Sequence, residues 1–275
     1  PPRSTLFPYT TLFRSSTAAY AGLGTMLFVP TADNSFGPAV ARNVDLILDE
    51  CGADGVFWDE FEYSAYPYTY TEPWDGFSGD IDRDGRLIRL KSSVTLLSQP
   101  WRMALAERIR QRGVLIINGS PATRTSAALK VQHFVETAAI SNCAYAVLYS
   151  PVALGDHISE RTQIDSYRWM LGALDYGCLY NWYDTVAAAY PTLTEYMFPA
   201  TPVELHEGYI LCRERIITKK SGLFGWNDTS RHEVHVYDEN GREVPGFKAP
   251  AVVRDGKNFT ELRLPEDYSA AIIRQ

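Results

Sequence analysis

The stretch GADGVFWDEFEYS, residues 52–64, carries the clearest structural signal in the chain. Its apolar centre, GVFW, matches the short continuous runs of strands that are buried on both faces of a sheet. Three carboxylates, Asp59, Glu60 and Glu62, follow within four positions. Parallel strands in barrel enzymes carry their reactive side chains at their carboxyl ends. The stretch therefore predicts a parallel sheet with acidic groups placed for chemistry after this strand.

Working outward, short apolar runs alternate with helical patterns from about residue 25 to residue 183. Strands that are apolar throughout and separated by helices are typical of a parallel sheet covered on both faces. The predicted strands are MLFV (26–29), GVFWD (55–59), VLIIN (114–118), QHFVE (132–136), YAVLYS (145–150) and CLYNWY (178–183).

Three helices are predicted between these strands. The first follows the strand at 26–29, capped by Asp33, Asn34 or Ser35. The second runs over about 100–112, beginning at Pro100, and the third over about 160–175.

These units favour the C-terminal part of a (β/α)₈ barrel that lacks its first two units. A doubly wound, Rossmann-like sheet is the alternative, disfavoured because no glycine-rich phosphate-binding turn is present.

The sequence changes character after about Leu193, where short alternating runs and an Asn240-Gly241 turn signal replace helical periodicity. This pattern predicts an antiparallel β-sandwich over 194–275, after a partial barrel over 17–193. Residues 5–15, TLFPYTTLFRS, have no structural period and resemble a sequencing adapter translated in frame. We therefore expect residues 1–16 to be foreign to the protein, and the native N-terminus and any export signal to be missing.

Composition excludes several classes of partner. The net charge is −7 and lysine and arginine never run beyond a pair, which argues against nucleic acid and anionic membranes. No apolar run approaches the roughly 20 residues that span a bilayer. Four cysteines lack metal-binding spacing and are expected to be buried single thiols, a disulfide being the less favoured reading.

Two carboxylates are the candidate catalytic groups. Asp59 ends one predicted strand and Glu136 ends another, and Glu60 is the reserve candidate. A carboxylate pair among aromatic side chains suits glycoside cleavage. One acid protonates the leaving oxygen, and the other attacks the anomeric carbon or activates a water molecule. The structural alternatives are a helix cap for Asp59 and an ion pair with an arginine such as Arg124 for Glu136. Candidate substrate-binding residues are Trp58, Glu62, Tyr63, Trp74, Asp75, Asn118, His133 and Tyr149.

The stretch LDECGADGVFWDEF, residues 48–61, resembles the fourth βα unit of retaining glycoside hydrolases with (β/α)₈ barrels, of the α-galactosidase and α-amylase clans. The resemblance implies that Asp59 is the nucleophile. The α-galactosidase clan places its acid/base on strand six, which corresponds to Glu136, although that clan usually has aspartate there. The α-amylase clan uses strand five, which here ends in Asn118.

The resemblance implies a glycosidase that acts on an oligo- or polysaccharide by a retaining mechanism, without a cofactor and with only carbohydrate as partner. An extracellular or periplasmic location is favoured over a cytoplasmic one. A non-catalytic carbohydrate-binding barrel is the alternative function, and a metal-dependent hydrolase is disfavoured because no HxH spacing occurs at a strand end. The DIDRDG sequence at 80–85 begins like a calcium loop but has Lys91 at its twelfth position, so a solvated turn is the better interpretation.

Overall fold

The structure, a computed structural model, describes residues 29–62, 64, 66–119, 121–134, 140–154, 162–181 and 189–275. The chain forms two compact units, one from residues up to 117 with 121–131, and the other from residues 118–120 with 132–275. The segment 1–16 and most of the predicted strand at 26–29 lie outside the described residues.

The first unit is built around a parallel strand pair, β1 and β6, as the sequence predicted. Phe57 of β1 lies opposite Ile116 of β6. The backbones approach closely at Gly55, where a Cβ atom would lie 2.1 Å from the carbonyl oxygen of Val114. The strands of this unit are β1 (Gly55–Trp58), β2 (Tyr68–Thr69), β3 (Gly79–Ile81), β4 (Leu87–Leu90), β5 (Ser92–Ser93) and β6 (Val114–Asn118), whose last residue belongs to the second unit.

Three helices accompany these strands: α1 (Phe36–Asp45), α2 (Val94–Arg110) and α3 (Arg124–Ala128). The Asn34 side chain accepts hydrogen bonds from the backbone N–H groups of Phe36 and Gly37, both at 3.1 Å, which confirms a cap among the three predicted residues. A π-helical turn, Leu46–Glu50, continues α1.

Helix α2 begins earlier than predicted. The start at Pro100 is wrong, because the helix begins at Val94 and the Ser93 hydroxyl accepts a hydrogen bond from the N–H of Leu96. Pro100 lies inside the helix. Its apolar face buries Leu105, Ala106 and Ile109 in a core that also contains Leu115 and Ile117 of β6.

The segment between β1 and α2 contains two small antiparallel strand pairs. One joins β2 to β5, and the other is a hairpin of β3 and β4. The DIDRDG sequence forms the turn of this hairpin, where the Asp82 carboxylate accepts hydrogen bonds from the N–H groups of Asp84 and Arg86. Lys91 lies 2.8 Å from the Asp80 carboxylate, an ion pair at the base of the hairpin.

The second unit begins with alternating strands and helices. They are β7 (Gln132–Phe134), α4 (Cys143–Ala146), β8 (Val152–Leu154), α5 (Gln163–Asp175) and β9 (Leu179–Asn181), and a 3₁₀ turn spans Ile140–Asn142. Strands β8 and β9 pair in parallel. The predicted third helix is confirmed as α5, capped by Thr162 and Asp165 in a reciprocal capping box.

The predicted strand YAVLYS (145–150) is wrong. Its first two residues end α4, and the strand comes instead at Val152–Leu154. The buried residues Cys143 and Ala146 are three apart, which is a helical spacing, whereas Leu148 is 70% exposed. A run of apolar letters this short fits a helix as well as a strand.

The rest of the second unit is antiparallel β structure, as predicted. A 3₁₀ turn at Leu193–Tyr196 precedes eight strands. They are β10 (Pro202–His206), β11 (Tyr209–Cys212), β12 (Arg215–Thr218), β13 (Gly222–Phe224), β14 (His232–Tyr237), β15 (Ala251–Arg254), β16 (Lys257–Leu262) and β17 (Ser269–Arg274). They form a five-stranded sheet, β10-β11-β12-β17-β14, and a three-stranded sheet, β13-β16-β15. Ile216, Phe224, Leu262 and Ile272 lie in a core contributed by both sheets. Strand β15 was not predicted.

Helix α5 is joined to this β structure. The buried Tyr167 hydroxyl donates to the carbonyl of Asp267 at 3.0 Å and lies 2.9 Å from the Ser269 hydroxyl. The compact units thus divide near residues 117–132, whereas the predicted domain boundary is at 193. Among the described residues the parallel strands form small sheets, and the (β/α)₈ barrel stays a prediction.

Candidate active site

Two exposed carboxylates follow β1. The strand ends at Trp58, and Asp59 and Glu60 come next in a turn, with Glu60 in the left-handed region at a φ of 47°. The predicted position of acidic groups directly after this strand is therefore confirmed. Trp58, in contrast, packs on other aromatic side chains, with its ring centroid 4.9 Å from Phe61 and 5.8 Å from Trp101, both edge to face. Its predicted role in substrate binding stays a prediction.

Glu62 is held in a buried ion pair. One carboxylate oxygen lies 2.7 Å from Nη1 of Arg102, and the two side chains are only 3% and 4% exposed. The second oxygen accepts a hydrogen bond from the N–H of Ala122 at 2.5 Å. Both oxygens of Glu62 therefore have protein partners, and its predicted contact with substrate stays a prediction.

Asp75 organises the loop between β2 and β3. Its carboxylate accepts hydrogen bonds from the N–H groups of Phe77, Ser78 and Ser93 and from the Ser78 hydroxyl, at 2.6–2.8 Å. Burial would raise the pKa of Asp75, but the hydrogen bonds from Ser78, Ser93 and Phe77 outweigh burial and lower it. The neighbouring Trp74 donates from Nε1 to the Ser78 carbonyl and keeps 44% of its surface exposed.

The second unit holds three further predicted residues. Asn118 is the last residue of β6, and His133 lies in β7 with its side chain buried. Nδ1 of His133 is 2.6 Å from the Gly119 carbonyl oxygen, and its ring centroid is 5.6 Å from that of Tyr149. The structure therefore brings His133 and Tyr149 together. Tyr63 and Glu136 lie outside the described residues.

A pocket of about 530 Å³ opens in the first unit. Trp101, which contacts Trp58, forms part of its wall. Its volume lies within the range of about 300–1,000 Å³ that is usual for small-molecule sites. Its lining is mainly apolar, with carboxylates and hydroxyls among the apolar groups: Val29, Thr31, Ala32, Asp33, Asn34, Thr69, Thr71, Glu72, Pro73, Leu97, Pro100 and Trp101.

Sequence reasoning missed this pocket, although a signal for part of it was present. Asp33 and Asn34 follow the predicted strand at 26–29, so the rule that located Asp59 applies equally to them. They were interpreted only as helix caps. Glu72, Leu97 and Trp101 carried no comparable signal, because their approach to the pocket depends on how the loop and α2 pack.

Metal ligands and membrane helices were also sought. Within the described ranges no three histidine, cysteine, aspartate or glutamate side chains are grouped to hold a metal ion. None of the helices in the described part of the chain has the length and apolar character needed to cross a bilayer.

Comparison with known proteins adds no relative. The sequence matches no protein-family model, and a search of curated proteins returns no match either.

Proposed function

We propose that this protein is a glycoside hydrolase that uses Asp59 as its nucleophile and Glu136 as its acid/base. The observation that supports the proposal most is the exposed Asp59 directly after a parallel strand, in a unit that also contains a pocket of about 530 Å³. A (β/α)₈ barrel is the fold that we propose for the parallel region, since barrel enzymes place their reactive groups at this end of their strands.

The pocket has the mixed character that a sugar requires. Apolar groups such as Leu97, Pro100 and Trp101 can contact the C–H surfaces of a pyranose ring. Asp33 and Glu72 offer carboxylate oxygens, and Thr31 and Thr71 offer hydroxyls, to sugar hydroxyl groups. Among the described residues that line the pocket there is no lysine or arginine, so neutral sugars suit it better than uronic acids or sulfated sugars.

Asp59 and Glu136 would divide the reaction in the manner of retaining glycosidases. The Asp59 side chain is exposed, and a carboxylate in its charged form is the group that attacks an anomeric carbon. Glu136 would protonate the leaving oxygen and then activate water to hydrolyse the glycosyl intermediate. Glu60 remains the reserve candidate for either role.

The test is an activity screen of the purified protein on neutral aryl glycosides, alongside aryl uronides. We expect turnover of at least one neutral glycoside. The first product formed should retain the anomeric configuration of the substrate, which NMR measures. Asp59→Ala should abolish this turnover, while Glu50→Ala, which removes an exposed acid on the turn preceding β1, should leave it unchanged. Loss of activity in Glu60→Ala but not in Asp59→Ala would move the nucleophile by one residue.

The same screen distinguishes the hydrolase from the alternative function, a carbohydrate-binding protein. A carbohydrate-binding protein without catalysis would bind oligosaccharides in calorimetry and turn over none of the aryl glycosides. That outcome would overturn the hydrolase proposal and retain the pocket as a binding site. Asp33→Asn and Glu72→Gln should then weaken sugar binding about tenfold or more if the pocket is the site.

A further inference from the structure

Two cysteines predicted to be isolated thiols are neighbours in the second unit. Cys143 is the first residue of α4, and Cys178 directly precedes β9. Both side chains are completely buried. Sγ of Cys178 lies 3.4 Å from the carbonyl oxygen of Cys143, which makes the two cysteines direct neighbours. Thirty-four residues separate them in the sequence, so the fold alone creates this pair.

The surroundings favour reaction between these thiols over metal binding. Structural zinc takes four ligands from cysteine and histidine. No grouping of three potential ligands occurs among the residues that the structure describes. The pair therefore offers two soft ligands, which is too few for such a site.

The two sulfurs differ in acidity in a way that suits stepwise oxidation. Contact with the Cys178 thiol lowers the pKa of Cys143, while the same contact, together with burial, raises the pKa of Cys178. The thiolate is the form that attacks a peroxide. The Cys178 thiol also donates to the Cys143 carbonyl oxygen at 3.4 Å and so keeps its proton, which leaves Cys143 as the sulfur expected to react first and Cys178 as the one that resolves the product.

We propose that Cys143 and Cys178 are a modification site that forms an intramolecular disulfide when the protein meets a peroxide. The Cys143 thiolate attacks one oxygen of hydrogen peroxide, which breaks the O–O bond and yields a sulfenic acid and hydroxide. The Cys178 sulfur then attacks the sulfenic sulfur, forms the S–S bond and expels the hydroxyl group, which leaves as water with the Cys178 proton. Two thiols are oxidised by two electrons, and one peroxide is reduced to two waters.

The disulfide would join the start of α4 to the start of β9. It would close a loop that contains β8 and α5, and so restrict the unfolded chain more than the folded one. Oxidised protein should consequently melt about 5–10 °C higher than reduced protein. This inference is independent of the proposed hydrolase activity.

The test uses the full chain carrying Cys51→Ser, which removes the exposed thiol and with it disulfides between molecules. Reduced protein is treated with stoichiometric hydrogen peroxide, alkylated in denaturant, digested and analysed by mass spectrometry. We expect a linked pair of peptides containing Cys143 and Cys178, lighter by two hydrogens than the separate thiol peptides and separated again by dithiothreitol.

Matched variants make the assignment specific. Cys143→Ser and Cys178→Ser should each abolish the link, whereas Cys212→Ser, which removes a thiol buried elsewhere in the same unit, should leave it intact. A second measurement leaves Cys143 and Cys178 unsubstituted: it compares the melting temperature of the Cys51→Ser protein with and without peroxide. Alkylation of both thiols after peroxide treatment, or conversion of Cys143 to a sulfinic acid without the linked peptide, would overturn the proposal.

Discussion

Glu62 and Arg102 form a buried ion pair, with Oε1 of Glu62 2.7 Å from Nη1 of Arg102. The Arg102 guanidinium also donates to the Thr95 carbonyl at 2.7 Å and to the Ser98 hydroxyl at 3.0 Å. The other oxygen of Glu62 accepts a hydrogen bond from the N–H of Ala122, in the loop after β6. The pair thus ties together the turn after β1, the first turns of α2 and the segment before α3. It holds the backbone three residues beyond Asp59.

Replacing one partner of this pair should be costly. Arg102→Met retains much of the side-chain volume but leaves the Glu62 carboxylate buried without its cation, so we expect a loss of about 3–5 kcal/mol in the free energy of unfolding. Urea denaturation at neutral pH measures this loss. Arg108→Ala, which removes an exposed cation paired with Asp45, should cost no more than about 1 kcal/mol.

The double variant Glu62→Met/Arg102→Met separates the effect of the lost ion pair on stability from the effect of altered packing. Removal of both charges leaves no unpaired ion, so the double variant should be more stable than Arg102→Met alone. If Arg102→Met and Arg108→Ala lost the same small amount, the pair would not be buried in solution.

Asp75 should make the loop between β2 and β3 sensitive to acid. Its pKa is lowered in the folded protein, so its contribution to stability is fully present above the ordinary aspartate value. That contribution is lost as the pH falls through the lowered folded value, in a window below about pH 4. The difference in unfolding free energy between the wild type and Asp75→Asn should therefore shrink across that window.

Asp82→Asn is the matched control for this pH series. Asp82 also accepts backbone hydrogen bonds in a turn, but it does so in the exposed β3–β4 hairpin. We expect a smaller and flatter difference for this variant. A wild-type minus Asp75→Asn difference that stayed constant from pH 7 to about pH 2 would contradict the assigned role of the carboxylate.

The Tyr167 hydroxyl should contribute measurably to the packing of α5 on the β structure. Tyr167→Phe removes its bonds to Asp267 and Ser269 in a buried site, and we expect a loss of about 1–3 kcal/mol in thermal or urea unfolding. Tyr190→Phe removes a single hydrogen bond to the carbonyl of Asn240 in an exposed site and should cost less than about 0.5 kcal/mol. Equal losses in the two variants would show that burial of the tyrosine hydroxyl does not determine how much its hydrogen bonds stabilise the protein.

Glu136→Ala tests the second half of the proposed mechanism. Aryl glycosides with good leaving groups need little protonation, so this variant should retain more activity on them than on natural oligosaccharides. Azide should partly restore turnover by attacking the glycosyl intermediate, with formation of a glycosyl azide that chromatography detects. Equal loss on both substrate types, without azide rescue, would argue against Glu136 as the acid/base.

Part of the fold could be read directly from local patterns. The alternation of apolar and polar residues predicted the antiparallel strands after residue 193, and the runs GVFW and VLIIN predicted the parallel pair β1–β6. Thr162 and Asp165 stand at a capping-box spacing, and α5 begins where they indicate. Each of these features depends on residues that are near neighbours in the sequence, so one sequence is enough to predict them.

Other features required the tertiary structure. Glu62 and Asp59 belong to the same acidic cluster in the sequence, yet Glu62 is buried against Arg102 of α2 whereas Asp59 is exposed. YAVLYS has an apolar composition that suits a strand, but packing buries Cys143 and Ala146 on a helical face. The sequence by itself determined the periods of strands and helices and the position of the acidic turn after β1. The tertiary structure decided which acids are buried, which thiols meet and where a pocket opens, because each depends on the groups that folding places opposite them.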